Sequence, residues 1–285
     1  MNSVTYQEAL KWASLHIADQ QIDPSAPQFI LLARHHWSLT TYLIHQRDVM
    51  PPAEWASFQV DIERLLKFEP AQYIVGAAPF LGREFIVNHD VLIPESETEE
   101  LVEWVLQTFN QAPIRVLDLG TGSGVIGITL KLERPNWEVV ASDISSAALA
   151  VAQQNAQNLQ ADVTYVQSDL FEHLNEQRFD VIVTNPPYID QSERDVMDRS
   201  VLEYEPEIAL FADQNGLGFY ERLFQELPNH LTPDGQLFGE VGYAQRQPII
   251  ELFKKHFANA TIQTRNDLSD NMRMIRGFEF KKGDM

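Results

Sequence analysis

Between residues 115 and 241 the chain repeats one pattern: a short β-rich run, a stretch with helical spacing, then another run. The runs are Arg115 to Leu119, Glu138 to Ser142, Val163 to Val166, Val181 to Thr184 and Gln236 to Val241. Parallel neighbours need long crossovers, and helical crossovers cover the sheet they connect. The pattern therefore predicts an α/β fold, with a mainly parallel sheet and helices on both faces. Thr261 to Thr264 and Met274 to Phe280 predict two more strands, a closing antiparallel pair.

The preceding segment has a different period. Leu10, Ala13 and Ile17 share a helical face, and Trp55, Phe58, Ile62, Leu65 and Leu66 recur at three- and four-residue steps. Pro24, Pro27, Pro51 and Pro52 punctuate these helices. From Phe80 to Ile93, short apolar segments around Gly82 and Asn88 suggest a hairpin. With 285 residues available, two domains are expected: a helical domain over 1–75, a hairpin linker over 76–93 and the α/β domain over 94–285.

Leu117-Asp118-Leu119-Gly120-Thr121-Gly122-Ser123-Gly124 joins the first β-rich run to a helical stretch. Gly120 and Gly122 allow a tight turn that approaches a ligand closely, and a helix N-terminus offers amides to a carboxylate. A purely structural turn uses the same residues. The glycine spacing does not match a dinucleotide fingerprint, and Asp118 would repel a pyrophosphate while accepting a bond from an ammonium group, directly or through water. Asp143 ends the second run, where a carboxylate can hold ribose hydroxyls or cap the next helix. Asp169 and Leu170 follow the third run and suit the amine and ring of an adenine, or a capped turn. Together these residues suggest S-adenosylmethionine rather than NAD.

The most specific signal is Asn185-Pro186-Pro187-Tyr188, after the fourth run and 65 residues beyond Gly120. The lone pair of a planar amide or aryl amine is delocalised, so the nitrogen needs polarisation as well as proximity. The Asn185 side-chain carbonyl and the Pro186 backbone carbonyl can each accept a bond from such an NH2 group and stabilise the charge developing on it. Prolines stiffen the turn, and Tyr188 offers a flat face. An Asx turn ended by prolines is the structural alternative. No strong general base is required, and His35-His36 reads as surface or packing.

Composition narrows the classes further. There is no cysteine, which excludes disulfides, thiol nucleophiles and cysteine-ligated zinc. No metal is expected. The net charge of -20, of which residues 1–80 carry only -3, works against tracking a phosphate backbone. No window resembles a membrane span or a signal peptide, so a cytoplasmic location without membrane or direct nucleic-acid contact is expected.

Across almost its whole length the chain resembles the HemK-type protein-(glutamine-N5) methyltransferases, also called release-factor glutamine methyltransferases. The resemblance runs through Glu69-Pro70, Tyr73-Ile74, Gly76, Phe80, Gly82-Arg83 and Phe85, then Leu92-Ile93-Pro94 and Glu97-Thr98-Glu99. It continues through Asp118 to Gly124, Asp143-Ile144-Ser145, Asn185 to Tyr188, Tyr204-Glu205-Pro206, Gly216-Leu217, Tyr220 and Arg276-Gly277. It implies a Rossmann-like class I methyltransferase with a seven-stranded sheet, preceded by a helical substrate-recognition domain. It also implies methyl transfer from S-adenosyl-L-methionine to the glutamine N5 of the Gly-Gly-Gln motif in bacterial class I peptide-chain release factors. By the same resemblance, Asp118, Leu119, Gly120, Thr121, Gly122, Asp143, Leu170 and Asn185 are expected at the cofactor, where the residue pattern also puts Asp169. Asn185, Pro186, Pro187 and Tyr188 are expected at the glutamine. One departure stands out: Glu95-Ser96 occupies the place where the family usually has Arg-Pro. The following Glu97-Thr98-Glu99 reads as a helix cap. The competing readings are a DNA or RNA amino-methyltransferase and a noncatalytic adaptor.

Overall fold

The computed structural model describes residues 3–18 and 20–281, which form two compact units. The first comprises the chain up to Ala77 together with Val87–His89 and Met197–Tyr204. Its helices span Tyr6–Ile17, Ala26–His35, Leu39–His45, Pro52–Leu65, Ala71–Val75 and Arg199–Tyr204. Thr5 opens the first of them with a capping box. Its hydroxyl accepts from Glu8 N at 3.3 Å, while the Glu8 carboxylate accepts from Thr5 N at 2.8 Å.

Ala9, Ala13 and Ile17 bury one stripe of that helix against Ile30, Leu31 and the Phe58, Ile62, Leu65 face. Leu10, Trp55 and Leu66, placed on these faces by the sequence pattern, flank the core half-buried. Arg34 grips the buried Asp61 with two bonds of 2.9 Å and also donates to the Ile74 carbonyl. Arg199 lies 4.4 Å from the centre of the Phe68 ring, and Tyr204 Oη donates to the Lys67 carbonyl at 3.0 Å.

A short hairpin follows, β1 (Ala77–Phe80) and β2 (Arg83–Ile86), and the second unit begins within it at Ala78. Leu81 and Gly82 both take positive φ, as a two-residue hairpin turn with primed geometry requires. The hairpin therefore ends at Ile86, short of the Ile93 limit read from the sequence.

Seven strands then build one sheet: β3 (Arg115–Leu119), β4 (Glu138–Asp143), β5 (Thr164–Gln167), β6 (Phe179–Thr184), β7 (Leu231–Glu240), β8 (Thr261–Asn266) and β9 (Met272–Phe278). Their order is β5-β4-β3-β6-β7-β9-β8. β3 to β7 pair in parallel, whereas β9 is antiparallel to both β7 and β8. The mainly parallel, seven-stranded class I methyltransferase architecture expected from the sequence is the one observed. Helices Ser96–Thr108 and Val125–Glu133 pack on one face around Trp104, Ile128 and Trp137. Gly218–Glu226 and Arg246–His256 pack on the other around Phe224 and Phe253. β7 starts at Leu231, earlier than read, because the turn-forming residues Pro233, Asp234 and Gly235 lie inside it. Among the described residues no helix is long and apolar enough to cross a membrane.

Candidate active site

The strand order reverses between β3 and β6: β4 and β5 lie to one side of β3, and β6 to the other. In open parallel sheets the ligand crevice opens at the carboxyl ends of strands at such a reversal. Two sets of bonds hold those ends together. Thr184 Oγ1 donates to Leu119 O at 2.7 Å, and Gly120 N and Thr121 N both donate to Ser142 O at 2.9 Å. Buried Asn155 braces the turn from helix Ser146–Leu159, donating to Ser123 O at 2.9 Å.

A cavity of about 410 Å³ opens at these strand ends. Leu119, Gly120, Thr121, Gly122, Asp143, Asp169, Leu170, Asn185, Pro186 and Pro187 all line it. Asp118 and Tyr188, also singled out in the sequence, are not on its wall. Asp118 is fully buried beneath the turn. Its Oδ2 accepts from Thr121 Oγ1 at 2.5 Å and from Gly127 N at 2.8 Å, and Oδ1 is enclosed as well. Burial pushes this carboxyl up to about 7, against the lowering effect of both bonds. Gly127 permits the close approach, since a Cβ there would stand 2.9 Å from Asp118 Oδ2. Asp118 thus braces the turn from within through Thr121 and Gly127.

The turn's own amides are bonded within the chain. Those of Gly120 and Thr121 bond Ser142, that of Gly122 bonds Asp143, and that of Gly124 bonds Thr121 O. These four amides already have partners within the chain. What Gly120 and Gly122 contribute is bare backbone at positive φ (73° and 53°) in the cavity wall.

Asp143 links β4 to the turn. Oδ2 accepts from Gly122 N and Oδ1 from Ser145 N, both at 2.9 Å. The following helix is capped by the Ser145 hydroxyl, which accepts from Ala148 N at 3.1 Å, so capping falls to Ser145. Burial raises the Asp143 carboxyl, against the lowering effect of its amide bonds. Asp169 pairs with Arg222 at 2.9 Å, and both line the cavity. Leu170 takes φ +46°, a strained value for a branched side chain, and is buried. The wall carries Asp90, Glu95, Asp143, Asp169 and Asp213 against Arg222, so its charge favours a cation over a polyanion.

Asn185 begins a chain of bonds leading away from the cavity. Its Nδ2 donates to Thr98 Oγ1 at 2.8 Å, Thr98 Oγ1 donates to Glu240 Oε2 at 2.8 Å, and Tyr188 Oη donates to Glu240 Oε1 at 3.1 Å. One N–H of the Asn185 amide is thus held by Thr98 while the residue lines the cavity. Glu240 and Thr98 are buried, and Glu240 is pushed up to about 8 by burial and then by Glu95, against the bonds from Thr98 and Tyr188. Tyr188 is likewise raised by burial and the neighbouring carboxylates. Its hydroxyl is tied to Glu240, and the residue is half-buried. Thr98, read as part of a helix cap, instead serves Asn185 and Glu240, and helix Ser96–Thr108 has no side-chain cap bond. Glu240 is missing from the residues that the sequence pattern marks; its signal there is an acidic residue inside the last apolar run, Gln236 to Val241, whose strand is covered on both faces.

Residues 97–203 match the family model described as the methyltransferase small domain, and residues 8–76 match the PrmC N-terminal domain. The release factor glutamine methyltransferase of Enterococcus faecalis is 41% identical over 269 residues, covering 94% of this chain and 97% of that protein. The chain belongs to the release factor glutamine methyltransferase family. A member from Lactococcus lactis is 40% identical over 253 residues, covering 89% of this chain and 93% of its own. A solved methyltransferase from Pyrococcus furiosus shares the fold with a TM-score of 0.54 at 17% identity, covering 77% of this chain and 98% of that one. In the terms of this family, the cavity at β3, β4 and β6 is the candidate methyl-transfer site.

Proposed function

We propose that this protein transfers a methyl group from S-adenosyl-L-methionine to the side-chain amide nitrogen of the glutamine in the Gly-Gly-Gln motif of peptide-chain release factors. The observation that carries this reading is the Asn185 amide, anchored by Thr98 on the wall of a cavity that also contains the glycine turn and Asp143. The names of the relatives with 41% and 40% identity support the release factor as partner.

The residues present fit the cofactor. Bare backbone at Gly120 and Gly122 admits its methionine end, Asp143 accepts from ribose hydroxyls, and Leu170 with Asp169 borders the adenine. The acidic wall suits a positively charged ligand. S-adenosylmethionine supplies an electrophilic methyl group on a sulfonium. Asn185 Oδ1 and the Pro186 carbonyl hold the glutamine NH2 and stabilise positive charge as it develops on that nitrogen. The proton leaves after transfer, so no strong base is needed. Docking of the release factor is assigned to the helical unit, whose residues 8–76 match the PrmC N-terminal domain.

The test is methyl transfer with labelled cofactor to a release factor, to a short peptide carrying Gly-Gly-Gln, and to DNA and RNA, with mass spectrometry of the product. The expected result is one methyl on the glutamine and a lower KM for the whole protein than for the peptide. A methyl on a base or on another residue would overturn the substrate. Equal KM for protein and peptide would remove the docking role.

Asp143→Ala should weaken binding of S-adenosylhomocysteine by about 10- to 100-fold, the range for a lost charge-assisted bond. Calorimetric titration checks this. Unchanged affinity would leave Asp143 as only a brace between the turn and the next helix.

A further inference from the structure

We propose that Glu240, acting through Thr98, sets which end of the Asn185 amide faces the cavity, making both of them positioning residues for methyl transfer. The inference rests on the reading of Asn185 as acceptor of the substrate N–H. It adds two residues that act through Asn185: Thr98, which also lines the cavity, and Glu240, which does not.

The argument is proton counting. Thr98 Oγ1 lies 2.8 Å from Glu240 Oε2 and 2.8 Å from Asn185. A hydroxyl has one proton to give, and an ionised carboxylate only accepts. With Glu240 ionised, Thr98 and Tyr188 both donate to it, and Thr98 has only lone pairs left for Asn185. Asn185 must then turn its NH2 toward Thr98 and its carbonyl toward the cavity. With a proton on Oε2 the direction reverses: Glu240 donates to Thr98, Thr98 donates to Asn185, and the asparagine turns its carbonyl inward. Its NH2 then faces the cavity, where it opposes the NH2 of an incoming amide.

Thr98 and Glu240 are 3% and 0% exposed, so protein groups set the pattern between them. The groups facing Glu240 come from four other places. Glu95 and Thr98 lie at the start of helix Ser96–Thr108, and Tyr188 lies in the turn after β6. Tyr220 comes from helix Gly218–Glu226 and Arg273 from β9. Tyr220 Oη donates to the Glu240 backbone carbonyl at 2.6 Å, fixing the end of β7. Burial raises Glu240 into the neutral range, so its charge changes under ordinary assay conditions. The ionised form is the productive one, and the rate therefore rises as pH rises through its titration.

The test is single-turnover methyl transfer to release factor from about pH 6 to about pH 9. It compares wild type, Glu240→Gln, Thr98→Val and Thr98→Ser, with S-adenosylhomocysteine affinity measured for each. Thr98→Val and Glu240→Gln should each lose about 10- to 100-fold in kcat at the alkaline end while retaining cofactor-product affinity. Thr98→Ser, which keeps the hydroxyl, should restore most of the rate. The wild-type loss of rate toward acid should be missing in Glu240→Gln, whereas a loss caused by Glu95 would persist in that variant. If Glu240→Gln does not fold, Thr98→Val decides. A wild-type rate in Thr98→Val alongside an inactive Asn185→Ala overturns the relay alone. An active Asn185→Ala overturns the reading beneath it.

Discussion

Asn185→Ala is expected to lower single-turnover methyl transfer by about 10² to 10³ while release-factor binding is largely kept, by analogy with deleting one preorganised polar group at a developing charge. The asparagine is held before the substrate arrives, since its Nδ2 bonds Thr98 at 2.8 Å. Its carbonyl therefore acts without reorganising, and the loss should fall on kcat more than on KM. Asn185→Asp separates orientation from the mere presence of an oxygen. An aspartate there keeps an acceptor but has no N–H for Thr98, and it adds a charge to a wall already lined by Glu95 and Asp143. It should also be slow, despite a tighter ground state with a cationic cofactor. A wild-type rate in Asn185→Ala would sink the mechanism.

Gly216→Ala should be among the most damaging single changes outside the cavity wall. Gly216 has φ +76°, and a Cβ there would stand 2.0 Å from the Tyr188 carbonyl oxygen and 2.4 Å from Gln245 Nε2. The first neighbour is backbone and cannot swing aside. It is also the oxygen that Gln245 Nε2 bonds at 2.8 Å, so the methyl group would press on the lock that holds Asn185-Pro186-Pro187-Tyr188. Overpacking and positive-φ strain together cost about 2 to 4 kcal/mol, which lowers Tm by roughly 5 to 15 °C. The rate should fall as well, because the turn carrying Asn185 must shift. Gly82→Ala is the control: its φ is +74° with nothing within 4 Å of the added atom, so only the strain of about 1 kcal/mol remains. Equal Tm losses in the two variants would show that contact with the Tyr188 carbonyl is unimportant.

The sheet was readable because its strands are short apolar runs separated by helical spacing. The runs at 115, 138, 163, 181, 236, 261 and 274 fall on β3 to β9. The places that escaped share one cause. Pro233, Asp234 and Gly235 are turn formers by local preference, yet they lie within β7 at an irregularity between the Leu231 and Gln236 pairs with β6. Thr98 sits between two glutamates and looks like a cap, and Glu240 looks like a surface charge. Their meaning lies in a bond between residues 142 positions apart, which local patterning does not display. Asp118 was visible as important, but its side in the turn was not. Whether a carboxylate faces a ligand or the protein's own amides depends on how closely the next helix approaches, and Gly127 decides that.

Residues Met197–Tyr204 belong to the first unit although they lie more than a hundred residues beyond Ala77. The consequence concerns synthesis. A ribosome releases the first five helices well before the sixth exists, and at roughly 5 to 20 residues per second the wait is on the order of ten seconds. During that interval Phe68 lacks the Arg199 guanidinium, and the Lys67 carbonyl lacks the Tyr204 hydroxyl. The helical core around Ile30 and Ile62 can form alone, but this patch is completed only after β3 to β6 have been made. Nascent chains should therefore gain protease resistance in that unit in two steps, and no single cut in the gene separates the two units cleanly.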